Sequence, residues 1–260
     1  MKILIIGDIY GKAGREALAE FLPQLKERFK PDWVIANGEN TTAGNGLSAR
    51  HAKFLKDCGV DIITTGNHLF ARLDWPQVVE RDSSILRPHN LGAENAPGTG
   101  KRKFEKNGDP KSSIYVFNIA GRVFMEKARC PFKTVEELLD NIESGVPVIV
   151  DFHAEATSEK LALFWHFDGR VSAIVGTHTH VQTSDERILP GKTAVISDLG
   201  MTGSRDGVLG VDRNTIIGRF INGYSEKFLC SGGPKKIEGV LLTLADDGKA
   251  EAIERFRIQQ

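Results

Sequence analysis

Neither sign of charge prevails in this chain: Lys and Arg total 34, Asp and Glu total 34, and the formal net charge at pH 7 is +0. That balance supplies no long-range positive field to hold a nucleic-acid backbone by counterion release, so no strong backbone binding is expected and any nucleotide must be gripped locally. Cysteine is also scarce. Cys58, Cys130 and Cys230 are odd in number, far apart and outside any CxxC pair, which argues against a disulfide framework and against a zinc-thiolate site. Ligands for a metal must then come from His, Asp, Glu and Asn, donors that suit Mn²⁺, Fe or Zn²⁺ better than a soft metal.

Long apolar runs are missing as well. The run from Ile3 to Ile6 stops at Gly7 and Asp8, too short for a signal-peptide core, and nothing later approaches the roughly 18 apolar residues of a membrane span. A soluble, cytoplasmic protein without a membrane partner is expected. There is neither internal repeat nor low-complexity tract. A chain of 260 residues can bury one continuous core, and residues 1–260 read as a single domain.

The first half alternates short apolar runs with amphipathic stretches: a strand at Lys2–Ile6, a helix at Ala13–Phe29, a strand at Trp33–Ala36, a helix at Ser48–Cys58 and a strand at Asp61–Thr65. This βαβαβ order implies a parallel sheet covered by helices. Ser48 is placed to cap its helix and Gly59 to stop it. In the second half, apolar runs fall at 114–119, 146–152, 171–175, 193–196 and 239–244, with helical stretches at 135–142, 159–167 and 214–221. Asp247-Gly248 between the last strand-like runs marks a hairpin. Two mixed sheets packed face to face, with helices outside, is the α/β architecture this predicts. The Gly-, Lys- and Arg-rich stretch Gly98–Asp109 reads as a mobile solvated loop, with a substrate-side flap as the functional alternative.

In open α/β sheets, ligands collect beyond the carboxyl ends of strands. Five strands end in candidate donors: Gly7-Asp8, Gly38-Glu39-Asn40, Gly66-Asn67-His68, Asp151-Phe152-His153 and Gly176-Thr177-His178-Thr179-His180. Each has a bland reading alone. Asp8 fits a helix N-cap, Glu39-Asn40 and Asn67-His68 fit turns, and His153 fits a hydrogen-bonded core histidine. His178-Thr-His180 is the most specific fragment, because alternate residues near a strand end point the same way and converging imidazoles are costly unless a cation holds them. Carboxylate, imidazole and amide oxygen together are the donors of a dinuclear site, with ions about 3.5–4 Å apart.

In their order these motifs resemble the calcineurin-like metallophosphoesterases, whose general pattern is D-x-H, G-D-x-x, G-N-H-[DE], a lone His and G-H-x-H. Three departures are informative: Tyr10 stands in place of the D-x-H histidine, Glu39 in place of the bridging aspartate, and Leu69 in place of the acid after His68. With Gly38-Glu-Asn-Thr-Thr-Ala-Gly-Asn-Gly46 and Asp198-Leu-Gly-Met-Thr-Gly203, they are similar to the YmdB-like branch. The resemblance implies a four-layer α/β/β/α sandwich and a phosphodiesterase acting on 2′,3′-cyclic nucleotides. It implies two divalent or mixed-valence ions per chain, Fe or Mn first and Zn as an option. Asp8, Glu39, Asn40 and His180 would hold the first, and Glu39, Asn67, His153 and His178 the second. Two cations sharing a hydroxide would supply the nucleophile, and His68 would protonate the leaving oxygen or bind phosphate. Tyr10, Asn45 and the 201–203 turn would line the substrate side.

Other readings use the same residues. Gly7, Gly11 and Gly14 suggest a dinucleotide-binding turn, but the spacing is not GxGxxG and Asp8 would oppose a pyrophosphate. A metal-containing regulatory protein that binds RNA or a partner, and a phosphomonoesterase on the same ions, are the alternatives to a diesterase. His51, His89 and His166 read as packing or solvent-exposed residues. Phe54, Phe70 or Trp75 would be the contact of a homo-oligomer if exposed.

Overall fold

Ile3 and Ile5 pack on one side of the first strand and Leu4 and Ile6 on the other, so strict alternation buries that strand on both faces. The same split recurs along the chain and produces layers. The computed structural model describes residues 1–93, 95–125, 128–224 and 227–260. In chain order the elements begin with β1 (Lys2–Ile6), β2 (Asp8–Ile9), α1 (Gly11–Phe29), β3 (Trp33–Asn37), α2 (Ala49–Asp57) and β4 (Ile62–Thr64). A 3-10 turn (Asn67–Ala71), α3 (Trp75–Arg81), β5 (Lys101–Lys106), β6 (Asp109–Ala120), α4 (Pro131–Leu139), β7 (Val148–His153) and α5 (Thr157–His166) follow. The chain closes with β8 (Ala173–Thr177), β9 (Arg187–Ile188), β10 (Ala194–Ile196), β11 (Met201–Ser204), α6 (Arg213–Asn222), β12 (Lys235–Leu244) and β13 (Ala250–Gln259).

The first sheet runs β2-β11-β12-β1-β3-β4, with β13 paired to β12; the second runs β5-β6-β7-β8-β10-β9. Both are mixed. In the first, β1, β3 and β4 are parallel while β12 is antiparallel to β1; in the second, β6, β7, β8 and β10 are parallel between antiparallel edges. Three apolar clusters fill the spaces between layers. Ile3, Ile5, Ile35, Val116, Ile149 and Val175 meet between the sheets. Leu18, Leu22 and Leu25 of α1 cover the outer face of the first sheet, and Val135, Leu163 and Phe164 of α4 and α5 cover the second. Each such fully buried side chain contributes ~1.5–3 kcal/mol. The result is the expected α/β/β/α sandwich; its mixed strand order is not that of a doubly wound dinucleotide-binding sheet.

Local punctuation follows chemistry. The Ser48 side chain accepts from the His51 amide at the start of α2, and Gly59, at φ +101, takes the left-handed position that ends it. Gly98–Asp109 is not a loop: Lys101–Lys106 forms β5, an antiparallel edge strand hydrogen-bonded to β6. Its Lys-Arg-Lys-Phe-Glu-Lys sequence is the charged composition that keeps a sheet edge from pairing with another chain. Phe54, Phe70 and Trp75 are also not exposed contacts. They are half-buried and pack on the helix-side core, while the exposed apolar side chains include Phe124, Phe220 and Ile221. Among the described residues no helix is long and apolar enough to cross a membrane.

Candidate metal centre

The parallel strands β1, β3 and β4 of one sheet and β7 and β8 of the other end on the same side of the sandwich. Their carboxyl ends carry Asp8, Glu39, Asn67, His153 and His178 into one place. Glycine before the donor works here by close approach. A Cβ on Gly66 would fall onto His153 Nε2 and Glu39 Oε2, and one on Gly176 would strike the Ser197 carbonyl.

Two groups of donors share Glu39. Its Oε1 lies 3.0 Å from Asn40 Nδ2 and 3.2 Å from His153 Nε2. On the first side, His180 Nε2 stands 3.1 Å from Asn40 Nδ2 and 3.7 Å from Asp8 Oδ1. On the second, His153 Nε2 is 3.2 Å from Asn67 Oδ1 and 3.1 Å from His178 Nδ1. Glu39, His153 and His178 alone form a group whose ligand atoms all lie within 4.8 Å of one another, close enough to hold a metal ion. Asp8, Glu39, Asn40 and His153 are buried, and His178 is half-buried. All seven residues expected as ligands are therefore brought together. Asn40, however, turns its NH₂ and not its oxygen toward Glu39 and His180.

Hydrogen-bond accounting tests whether the cluster suits a cation. His180 Nδ1 lies 3.0 Å from the Leu209 carbonyl, which can only accept, so the proton sits there and Nε2 offers a lone pair to the site. The Thr177 hydroxyl donates to Asp151 Oδ1 at 2.7 Å and accepts from His153 Nδ1 at 2.9 Å, so His153 Nε2 also points a lone pair inward. Facing it are Glu39 Oε1, Asn67 Oδ1 and His178 Nδ1, none more than 3.2 Å away. Asp8 Oδ1 is buried with no hydrogen-bond partner among the described residues. Converging buried acceptors repel unless a cation sits among them.

Protonation behaviour shows the same demand. Burial opposes charge on His153, yet the Glu39 carboxylate overrides it and lifts the ring to about 9; a proton then does what a metal would do. Against burial, His153 holds the Glu39 carboxyl far below its ordinary range, and His180 lowers that of Asp8. Burial and the neighbouring His153 lower His178 to about 4, so it remains neutral. His178 and His180 also take φ +103 and +63, left-handed conformations that non-glycine residues hold only when their surroundings fix them.

His68 differs from the seven. Its ring is 41 % exposed, its Nδ1 is 2.7 Å from Asn40 Oδ1, and its amide donates to Glu39 Oε2 at 3.0 Å. It lines a cavity of about 590 Å³ together with Tyr10, Asn45, Glu155, Leu209 and Phe228. Tyr10 packs edge-on against His180 with ring centroids 5.6 Å apart, and burial followed by Cys230 raises its phenol to about 12. Met201 and Thr202 are buried in β11 beside Asp8, away from the cavity wall. Lys12 pairs with Glu16 in solvent, and Arg15 donates to the Thr41 carbonyl to brace the loop after Glu39. His51 bonds Thr42, His166 bonds Glu136, and His89 is a half-buried loop residue, all outside the cluster.

The sequence pattern gives no sign of Glu155, whose Oε2 lies 3.1 Å from His178 Nε2; it places Asp151 and Thr177 at their strand ends without showing that they pair behind His153. The signal for Asp151 was available. On a strand, residues two apart share a face, so Asp151 and His153 point the same way.

Two mixed sheets with a carboxylate, amide and imidazole cluster at their common carboxyl end define a phosphatase-type α/β sandwich with a candidate metal site. The chain belongs to the YmdB-like family, which residues 4–256 match. It is 44% identical over 260 residues to the 2′,3′-cyclic-nucleotide 2′-phosphodiesterase of Bacillus subtilis (strain 168), covering 99% of this chain and 97% of that one. Among solved structures, a novel phosphatase from Mycoplasma pneumoniae superposes with a TM-score of 0.93 at 40% identity, covering 100% of this chain and 93% of that one. A hypothetical protein from Thermus thermophilus superposes with a TM-score of 0.92 at 35% identity over 100% of both chains.

Proposed function

We propose that this chain is a dinuclear-metal phosphodiesterase that hydrolyses 2′,3′-cyclic nucleotides. The observation that carries this reading is the convergence of carboxylate, imidazole and amide groups about Glu39, most of them buried, in two groups that share its carboxylate. Asp8, Glu39, Asn40 and His180 would hold one ion, and Glu39, Asn67, His153 and His178 the other. For Asn40 this requires the amide turned over, which presents its oxygen to the site and its NH₂ to His68 Nδ1. Oxygen and imidazole donors suit Fe or Mn, with Zn as the third choice.

When bound, such a pair of ions activates water and neutralises phosphate oxygens during in-line displacement. The remaining tasks belong to the chain. Leu209, through its carbonyl, and Thr177, through its hydroxyl, keep His180 and His153 in the tautomers that face inward. His68 has Nδ1 engaged by Asn40, leaving Nε2 to protonate the departing ribose oxygen or to bind phosphate. A cavity of about 590 Å³ with Leu209, Val211 and Phe228 on one side suits a small diester better than a polymer. The donors run from Asp8 to His180 and both sheets contribute, which supports residues 1–260 acting as one domain.

The test is elemental analysis of purified protein together with hydrolysis of bis-p-nitrophenyl phosphate and 2′,3′-cyclic AMP before and after chelation. Near two metals per chain, and diesterase activity lost on chelation and restored by Mn²⁺, is the expected result. Protein that binds no metal and stays inactive after loading with Mn²⁺ or Fe would overturn the assignment.

A further inference from the structure

Behind the histidine loop lies a buried ion pair that the reaction itself does not use. Lys160 of α5 and Asp198, each 1 % exposed, meet at 2.9 Å between Nζ and Oδ2. A buried pair of this kind contributes little net stability, because desolvation offsets the attraction, so its hydrogen bonds are the informative feature. Lys160 Nζ donates to the Thr177 carbonyl at 3.0 Å, and the Thr179 amide donates to Asp198 Oδ2 at 3.0 Å. The pair thus grips the backbone on both sides of His178, the residue at φ +103. The other carboxylate oxygen, Oδ1, accepts from the Gly200 amide at 2.9 Å, and the Gly200 carbonyl accepts from the Asp8 amide at 3.2 Å. One carboxylate therefore ties the His178–His180 loop of the second sheet to the Asp8 turn of the first.

We propose that Lys160 and Asp198 are positioning residues that clamp the strained His178–His180 loop and the Asp8 turn in metal-binding register. This rests on the metal-site reading above. The clamp gives a physical role to the Asp198-Leu-Gly segment, whose backbone groups and carboxylate do the joining while its side chains stay out of the cavity. A left-handed non-glycine residue persists where its flanking peptides are fixed, and the pair fixes both.

The test is the double variant Lys160→Met/Asp198→Asn, which removes both charges at once and keeps side-chain volume. Asn has one acceptor oxygen, so it serves the Thr179 amide or the Gly200 amide but not both. Thermal midpoint, Mn²⁺ binding followed by the signal of free Mn²⁺ in electron paramagnetic resonance, and kcat against KM for bis-p-nitrophenyl phosphate are measured beside wild type. A thermal midpoint near wild type with Mn²⁺ binding weakened by about 10–100-fold, the range for groups that orient metal ligands, is expected. The loss should fall on kcat at subsaturating Mn²⁺, be recovered at high Mn²⁺, and leave KM unchanged. Lys160→Gln, which keeps a neutral donor for the Thr177 carbonyl, should lose less affinity than the double variant. Mn²⁺ affinity equal to wild type in a folded double variant overturns the clamp, as does failure of both variants to fold, which would make the pair a stability element only. Absence of Mn²⁺ binding in wild type would instead overturn the metal site.

Discussion

The two ends of the sandwich carry hollows of similar size and opposite character. At the carboxyl ends of β7 and β8 is the cavity of about 590 Å³ beside Glu39, His178 and His180; at their amino ends is a groove of about 510 Å³ lined by Asp140, Glu143, Arg170, Lys192 and Lys249. Volume does not distinguish them. In the groove the charged side chains are half-buried or exposed and mixed in sign, and water solvates them as it would anywhere on a surface. At the cavity the metal-type side chains are buried or half-buried and aimed at each other, and a shared proton or cation must hold them together. A site is recognised here by a buried cluster of groups that demand a shared proton or cation, and not by concavity.

The largest break in that comparison should come from Glu39→Ala. It removes the carboxylate shared by both donor groups and should abolish metal content and diesterase activity together, read by elemental analysis and bis-p-nitrophenyl phosphate turnover. Two ions retained in this variant would sink the ligand map. Next is His68→Ala. Since the ring lies on the cavity side and bonds Asn40, turnover should fall by about 10²–10⁴ with metal content intact, the range for a general acid. Wild-type turnover would remove His68 from the chemistry.

Much of this contrast was legible in the sequence, and what was missed has a physical pattern. Strand ends carrying carboxylate, amide and imidazole side chains pointed to the seven residues that the fold brings together, because that signal is local; His178 and His180, expected from strand alternation, instead lie past β8 in left-handed loop positions. Lys160 was invisible because a lysine in an amphipathic helix reads as solvated, and only the path of β10 and the turn after it brings Asp198 beneath it. The β5 strand was read as a loop because edge strands carry charge for the same reason loops do. The orientation of Asn40 was beyond reach for another reason: it depends on hydrogen bonds to His68 and His180, which lie 28 and 140 positions away. Periodicity carries no information about such contacts.

A sharper test separates holding a ligand from orienting it. Thr177→Val deletes the hydroxyl between Asp151 and His153 with little change of shape. The imidazole tautomer then loses its anchor, and metal affinity should fall by about 10–100-fold while saturating Mn²⁺ restores turnover. Thr177→Ser keeps the hydroxyl and should behave nearly as wild type in the same Mn²⁺ titration. Equal loss in both variants would locate the effect in packing and not in the hydrogen bond.

The smallest expected effect lies at the opposite end. Lys192→Ala removes a cation from the groove on the amino side of β10, where the side chain faces water and neighbouring charges of both signs. Replacement of such a residue shifts stability by no more than ~0.5 kcal/mol, and turnover and Mn²⁺ affinity should stay within about twofold of wild type. The measurement carries weight because the groove is nearly as large as the cavity. A tenfold loss of diesterase activity in Lys192→Ala, with metal content unchanged, would mean that the substrate engages both ends of the sandwich. The reading of this protein as an enzyme for a small cyclic diester would then give way to one for a longer chain.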